Sequence, residues 1–288
     1  MKKILTFIIA GVLIIAILFL IWKIIEDSGN IVESNETETE KVDKPLNISI
    51  FLDLSDRITR DITPSQMSRD TAIVANIVDF YKSHTLGPQI LQAKNSLKVF
   101  FYPIPDIPEV AKLADELKVE MDNMPKTVAR RERLESMKQQ FLSNLNTIYS
   151  KTLEAKKYPG CDIWDFFSSK KVDEYCIQEG SRNILIVVTD GYLFDERHKI
   201  QEGNAYSYVT AATLKNPNSS LIVKRDGLGD LEVMMLEVNP LDINHRDHLI
   251  AVLNEWLTGM GIKKENIKIS ETSLPTNTKT IINNFLKK

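Results

Sequence analysis

The sequence predicts an α/β domain built on a doubly wound, mostly parallel sheet with a long helical insertion, preceded by one transmembrane helix. Three observations predict it. Apolar runs of strand length alternate with helically spaced ones from residue 47 to the C-terminus, the pattern of a sheet with crossover helices. Residues 183–188 (NILIVV) are almost uniformly apolar, as in a central parallel strand covered on both faces. Residues 4–22 hold no charged side chain over 19 positions, enough to cross a hydrocarbon core as a helix.

The N-terminal part divides in two. Lys2 and Lys3 precede the apolar run and Lys23, Glu26 and Asp27 follow it, so the positive-inside bias keeps the N-terminus cytoplasmic and exports the rest. A cleaved signal peptide is the competing reading, but no small-residue cleavage site follows the run, which continues through Ile21, Trp22, Ile24 and Ile25. Residues 1–25 are therefore read as a single-pass anchor, with the domain periplasmic or extracellular. Residues 26–46 are acidic and poor in large apolar groups, a flexible linker that cannot bury enough surface to order itself.

The charge balance excludes one class of partner. Of the net charge of −3, Lys2, Lys3 and Lys23 contribute +3 and residues 26–44 contribute −5, which leaves −1 for residues 45–288. A nucleic-acid binder needs a clustered basic excess, and this domain has none.

Within the domain, residues 47–54 (NISIFLDL) read as a buried strand ending at acids. Residues 65–83 place Ile73, Val74, Ile77, Val78, Phe80 and Tyr81 at helical spacing. Residues 96–102 supply the next strand, ended by Pro103, Pro105 and Pro108. Residues 108–121 and 125–157 read as helices within an insertion spanning about 106–158, the second with a stripe of Leu134, Met137, Phe141, Leu145, Ile148 and Leu153. A short helix opens at 162–167 and the central strand follows. Then come a strand at 231–238, a helix at 245–260, a strand at 267–270 and a closing helix from 276.

In such a sheet ligands bind outside the carboxyl ends of the strands. Two strand ends carry acid-rich loops, Asp53-Leu54-Ser55-Asp56-Arg57 and Thr189-Asp190-Gly191, and Gly160-Cys161-Asp162-Ile163 lies just upstream of the central strand. The order of these loops resembles the von Willebrand factor type A family, a Rossmann-like fold whose metal-ion-dependent adhesion site combines a D-x-S-x-S loop, a threonine loop and a T-D-G loop. The resemblance covers about residues 47–288. It implies a divalent-ion site with Asp53, Ser55 and Asp190 as ligands and Asp162 as a candidate for the remaining oxygen, magnesium as the ion and manganese or calcium as substitutes. The residue types suit that chemistry, because magnesium takes carboxylates, hydroxyls and waters in an octahedron with a position left for an incoming carboxylate.

Two positions depart from the family pattern. Arg57 stands where the second serine would be, and Cys161, a soft thiol, stands in the threonine loop. Pairing of Arg57 with Asp53, Asp56 or Asp190 would make a metal unnecessary, whereas Asp162 offers a replacement oxygen. The bland reading of the same acids is that they cap helices and end strands.

Three functions follow from these residues. The first is a membrane-anchored, non-enzymatic interaction module of a bacterial cell envelope, binding a protein partner whose acidic side chain completes a bound ion. The second is a metal-assisted hydrolase on the same acids, for which no general base is identifiable. The third is a metal-free structural component held by Arg57. Ser55 is not a nucleophile candidate, since no G-x-S-x-G elbow surrounds it.

Other residues read as structural. His84, His198, His245 and His248 lack metal-ligand spacing. Trp164, Phe166 and Phe167 read as core, and the glycines at 227 and 229 as a turn. The helix at 125–157 has eight Lys and Arg against three acids, a solvated face or a surface for an acidic partner or lipid headgroups. Cys161 and Cys176 are the only cysteines, open to a disulfide in an oxidising compartment or to two separate buried thiols.

Overall fold

The computed structural model describes residues 44–126, 128–191, 201–202, 205–206, 222, 225–239 and 246–288. The anchor and nearly all of the linker read from the sequence lie outside them. Among the described residues no helix is long and apolar enough to cross a membrane.

Six strands form the main sheet: β1 (Leu46–Leu52), β2 (Ser96–Phe100), β3 (Lys118–Glu120), β4 (Arg182–Val188), β7 (Glu232–Val238) and β8 (Ile267–Glu271). A separate two-stranded hairpin joins β5 (Gln201–Glu202) to β6 (Ala205–Tyr206). The spatial order of the main sheet is β3-β2-β1-β4-β7-β8. All neighbours pair in parallel except β2 and β3. The α/β class and the mostly parallel sheet are as expected. The order also explains the apolar run at 183–188, because β4 lies between β1 and β7 with both faces covered.

Helices cover the two faces. On one, Ile48, Ile50, Leu52, Ile184, Ile186, Val188, Met234 and Leu236 pack with α1 (Gln66–Thr85), α3 (Ala129–Ala155) and α7 (Pro275–Leu286), with α2 (Pro108–Asp115) at the side. On the other, Phe51, Phe100, Leu185, Val187, Val233 and Met235 meet α4 (Ile163–Ser168), α5 (Lys171–Cys176) and α6 (Arg246–Gly259). Alternate residues of each strand serve alternate faces, so the inner strands β1, β4 and β7 are buried almost along their whole length. Phe166 and Phe167 belong to this second core, and the Phe167 and Trp256 rings meet edge to face at 5.2 Å.

One element departs from the sequence reading. Residues 118–120 are not the end of a helix but the antiparallel edge strand β3, with Val119 buried between exposed Lys118 and Glu120. The segment at 106–158 is thus not purely helical. Its long helix α3 packs on α1 as part of the main core.

The cysteines are both buried and free. The Cys176 carbonyl accepts from Asn47 Nδ2 at the start of β1, whereas the Cys161 thiol senses Asp53, just beyond the end of that strand. Six strand positions separate those landmarks, about 20 Å at about 3.3 Å per residue. A disulfide needs its α-carbons within about 7 Å, so the pairing is excluded.

Candidate functional site

The carboxyl edge of the sheet is built from the loops that follow β1, precede α4 and follow β4. The Asp53 amide donates to Val188 O at 3.1 Å, extending the β1–β4 ladder by one step and placing Asp53 against Thr189. Leu54 and Gly160 form an isolated antiparallel bridge, which ties the Cys161 loop to the same place. The three loops singled out in the sequence therefore converge.

Asp53 is 2% exposed and its carboxylate is fully engaged. Oδ1 accepts from the Ser55 amide at 2.7 Å, and Oδ2 accepts from Thr189 Oγ1 at 2.9 Å. Arg57 Nε stands 3.3 Å from the same Oδ2. The Ser55 hydroxyl caps a 3-10 turn at Asp56–Thr59 by accepting from the Arg57 amide at 3.4 Å. That turn aims Arg57 inward, which is how a side chain next to the exposed Asp56 becomes only 1% exposed.

Arg57 then reaches deeper than the sequence suggests. Its Nη1 and Nη2 donate to the two carboxylate oxygens of Asp70 at 3.4 and 2.7 Å, Nη2 also to Val188 O, and Nε to Asp53 O. Asp70, on α1, additionally accepts from Gln66 Nε2 at 2.9 Å and Tyr149 Oη at 2.5 Å. Burial works against the Arg57 charge, but Asp70 and Asp53 outweigh it and hold the guanidinium well above its ordinary value. Burial likewise raises the Asp70 carboxyl, opposed by Arg57, Tyr149 and Gln66. Every member has a partner, the condition under which a buried polar network rigidifies a fold.

Asp190 has its own cation. Arg60 Nη2 lies 2.5 Å from Asp190 Oδ2 while Arg60 Nη1 donates to Asn239 O at 3.1 Å, so one guanidinium joins the loop after β1 to the ends of β4 and β7. The Asp190 carbonyl accepts from the Asn239 amide at 3.1 Å. Gly191 follows with φ +95°, and a Cβ there would stand 3.0 Å from Val238 Cγ1, so only glycine fits this turn. Beside Asp53 and Asp190, the Cys161 thiol is pushed well above its usual range by burial, with the two carboxylates adding to the effect.

Asp162 does something else: its Oδ1 accepts from the Asp165 amide at 2.8 Å and caps α4. Of the four residues expected as ion ligands, Asp53 and Asp190 come together under two guanidinium groups, while Ser55 and Asp162 use their side chains to cap turns. A divalent ion does not fit this set as it is arranged, because Arg57 and Arg60 already supply the positive charge and Asp53 has no oxygen left unbonded. Among the described residues no group of three or more His, Cys, Asp or Glu is arranged to hold a metal.

Four groups of this site were not singled out in the sequence. Arg60 carried no signal beyond lying three residues after Arg57. Asp70 did carry one, since it falls at i−3 and i−4 from Ile73 and Val74 on the apolar stripe of its helix, where an acid must have a buried partner. Tyr149 hides among apolar neighbours on α3. Glu237, at the end of β7, has φ +63° in a register irregularity between Met235 and Val238, and its Oε2 is buried without a hydrogen bond, 3.6 Å from Arg69 Nη1.

No protein-family model matches the chain, and no curated protein matches it. Among solved structures it is similar to the conserved hypothetical protein BatB of Bacteroides thetaiotaomicron, at 14% identity and a TM-score of 0.39 over 84% of this chain and 100% of that one. It is also similar to the pilus adhesin SpaC of Lactobacillus rhamnosus GG, at 14% identity and a TM-score of 0.46, and to proximal thread matrix protein 1 of the mussel byssus, at 12% and 0.40. The chain covers 86% and 85% of its own length in these two comparisons, but spans 30% and 48% of the other proteins.

Proposed function

We propose that the chain is a membrane-anchored interaction module of the cell envelope with a von Willebrand factor type A-like domain, binding a protein partner at the carboxyl edge of its sheet without a metal ion. The observation that carries this reading is the convergence of the Asp53, Cys161 and Asp190 loops at one strand-end edge, in the chain order of that family. Arg57 and Arg60 take the electrostatic place of a divalent cation, so the edge is held in one arrangement before any partner arrives. Exposed Ile104 and Leu274 stand in the loops after β2 and β8 and supply apolar contact area. Exposed Asp56, Asp61 and Asp106 stand at the same edge with exposed Lys156 and Lys157, so the partner meets charges of both signs there.

Binding is favoured over catalysis because the carboxylates that would act as base or metal ligand are already engaged by arginine, amide and hydroxyl donors. The test is site-specific photocrosslinking in membranes of cells expressing the full chain, with the crosslinker at Thr59 or Ile104 and, as control, at Glu179 on the opposite edge. An adduct from the first two positions and not the third, unchanged by a chelator, is expected. No adduct at either position removes the interaction edge, and an adduct lost on chelation restores a metal-dependent one.

A further inference from the structure

We propose that the crevice beside Glu237, between α1 and α7 at the carboxyl edge, receives a serine or threonine hydroxyl of the protein partner. Glu237 is turned into this place by the backbone. With unbroken alternation Val238 would share the face of Met234 and Leu236, but it packs with Val233 and Met235 on the other. The register irregularity between Met235 and Val238, with the left-handed φ of +63° at Glu237, makes that switch and leaves Glu237 on the side of α1 and α7. A bulge of this kind re-aims a side chain, and a strained non-glycine backbone persists only where its surroundings hold it.

The carboxylate arrives 3% exposed and without a donor for Oε2. Arg69 Nη1 stands 3.6 Å from that oxygen but donates to Ser273 O at 2.8 Å. The Thr272 hydroxyl, close enough to act on the Glu237 carboxyl, is likewise buried without a hydrogen bond. Beside these groups lies a crevice walled by Ala72, Ile73 and Asn76 of α1 and by Pro275 and Thr278 of α7, partly open to solvent and with room for about one water-sized group. Charge and size select its occupant. Arg69 and Arg57 already balance Glu237 and Asp70, so an ammonium or a carboxylate would bring an uncompensated charge into a buried place. A hydroxyl is neutral, matches the space, donates to Glu237 Oε2 and accepts from Thr272. Water can do the same, and a partner hydroxyl that replaces it keeps its hydrogen bonds. The mouth speaks for the partner: Leu274, 66% exposed, and exposed Pro275 stand at the rim, an apolar border against which a docked chain excludes water.

The inference rests on the interaction edge proposed above, and the experiment separates the two. In membranes of cells expressing the full chain, the photocrosslinker replaces Leu274, in parallel with Thr59 and Ile104. An adduct at Leu274 with the same partner is expected, mapped by mass spectrometry to a serine or threonine or its immediate neighbour. Alanine in place of that partner residue should weaken binding about tenfold, the loss of one hydrogen bond to a charged group. Ala72→Leu, which fills the crevice from a half-buried helix position, should lower the Leu274 adduct by a similar factor and leave the Thr59 adduct in place. If the Thr59 adduct falls as well, the partner's alanine variant decides, since it leaves this chain untouched. An adduct mapped only among charged or apolar residues, or an alanine variant that binds as tightly as the original, overturns the proposal and leaves water in the crevice. Adducts at Thr59 and Ile104 with none at Leu274 overturn it alone. No adduct at any of the three positions removes the interaction edge with it.

Discussion

Arg60 Nη2 lies 2.5 Å from Asp190 Oδ2, a pair that spans 130 positions of sequence and joins the loop after the first strand to the loop after the central one. Its side chains are 20% and 12% exposed, so the pair is partly wet, and the charge it neutralises is one a divalent ion would otherwise meet.

That position makes Arg60 the side chain that decides metal response. Replacing it as Arg60→Met removes this cation from Asp190 at a cost of about 1 kcal/mol, the scale of a partly screened pair, or about 2–4 °C in Tm for a domain of this size. Wild-type protein should melt at the same temperature with chelator and with magnesium. The variant should gain a magnesium-dependent rise by ligand linkage. A rise in wild type would show that the guanidinium is displaced by the ion and would end the metal-free reading.

Arg57 predicts a larger effect of different origin. In Arg57→Met the carboxylates of Asp53 and Asp70 remain buried without their shared cation, a loss of about 3–5 kcal/mol. Adding Asp70→Asn removes one stranded charge and keeps a group that Gln66 and Tyr149 can still reach, so the double variant should be more stable than Arg57→Met alone. Denaturant midpoints of the four proteins measure the coupling. Strict additivity would mean that the pair seen at 2.7 Å contributes nothing of its own.

Much of the site was legible and its wiring was not. Asp53 and Asp190 stood out because each ends a run of buried β residues, and Arg57 because it replaces a hydroxyl in a loop that otherwise resembles a metal site. The Arg57–Asp53 pair is among the pairings the loop sequence leaves open, but the second acid Arg57 meets, Asp70, lies thirteen residues on in a helix, and its place on the apolar stripe signals a buried partner without saying which. The strand at Lys118–Glu120 was read as helix because three residues hold too little period to tell exposed-buried-exposed alternation from a helix end. The left-handed backbone at Glu237 leaves no trace in residue type, since a glutamate is not a residue that signals positive φ.

The thiols give a chemical check on the same geometry. Burial pushes Cys161 well above its usual range and Cys176 up to about 12, so neither presents thiolate at neutral pH. Native protein purified without reductant should resist maleimide labelling and take two labels once unfolded. Labelling of native Cys161 within minutes would place it outside the closed loops described above.

Gly191 holds the turn on which Asp190 sits. Gly191→Ala must keep φ near +95° and put a methyl 3.0 Å from Val238 Cγ1. A loss of about 2 kcal/mol or more is expected, from backbone strain and crowding together. Val238→Ala removes the nearest of the three contacts but empties a buried site itself, so it should cost less in the Gly191→Ala background than in wild type while leaving the strain in place. An equal cost of Val238→Ala in both backgrounds would show that the methyl at 191 is not crowded by Val238.

Glu237 sets a pH dependence whose sign follows from its surroundings. Burial raises its carboxyl above the usual range, and Asp70 adds to this, while Arg69 and Arg57 oppose it. Its Oε2 lies without a hydrogen bond in a small crevice shared with Arg69, Asn76 and Thr278, where the protonated form is the better tolerated one. A carboxyl raised in the folded state holds its proton more tightly than in the unfolded chain. Its contribution is therefore fully present below the unfolded value of 4.5 and is lost as pH climbs through the raised one. Glu237→Gln imitates the protonated form at every pH, so it should raise Tm at neutral pH and flatten the decline above pH 4.5 expected of wild type. The measurement is a series of thermal melts of both proteins from acid to neutral pH. A variant that melts below wild type at neutral pH would mean that the ionised carboxylate, paired with Arg69 across 3.6 Å, is the form the fold needs.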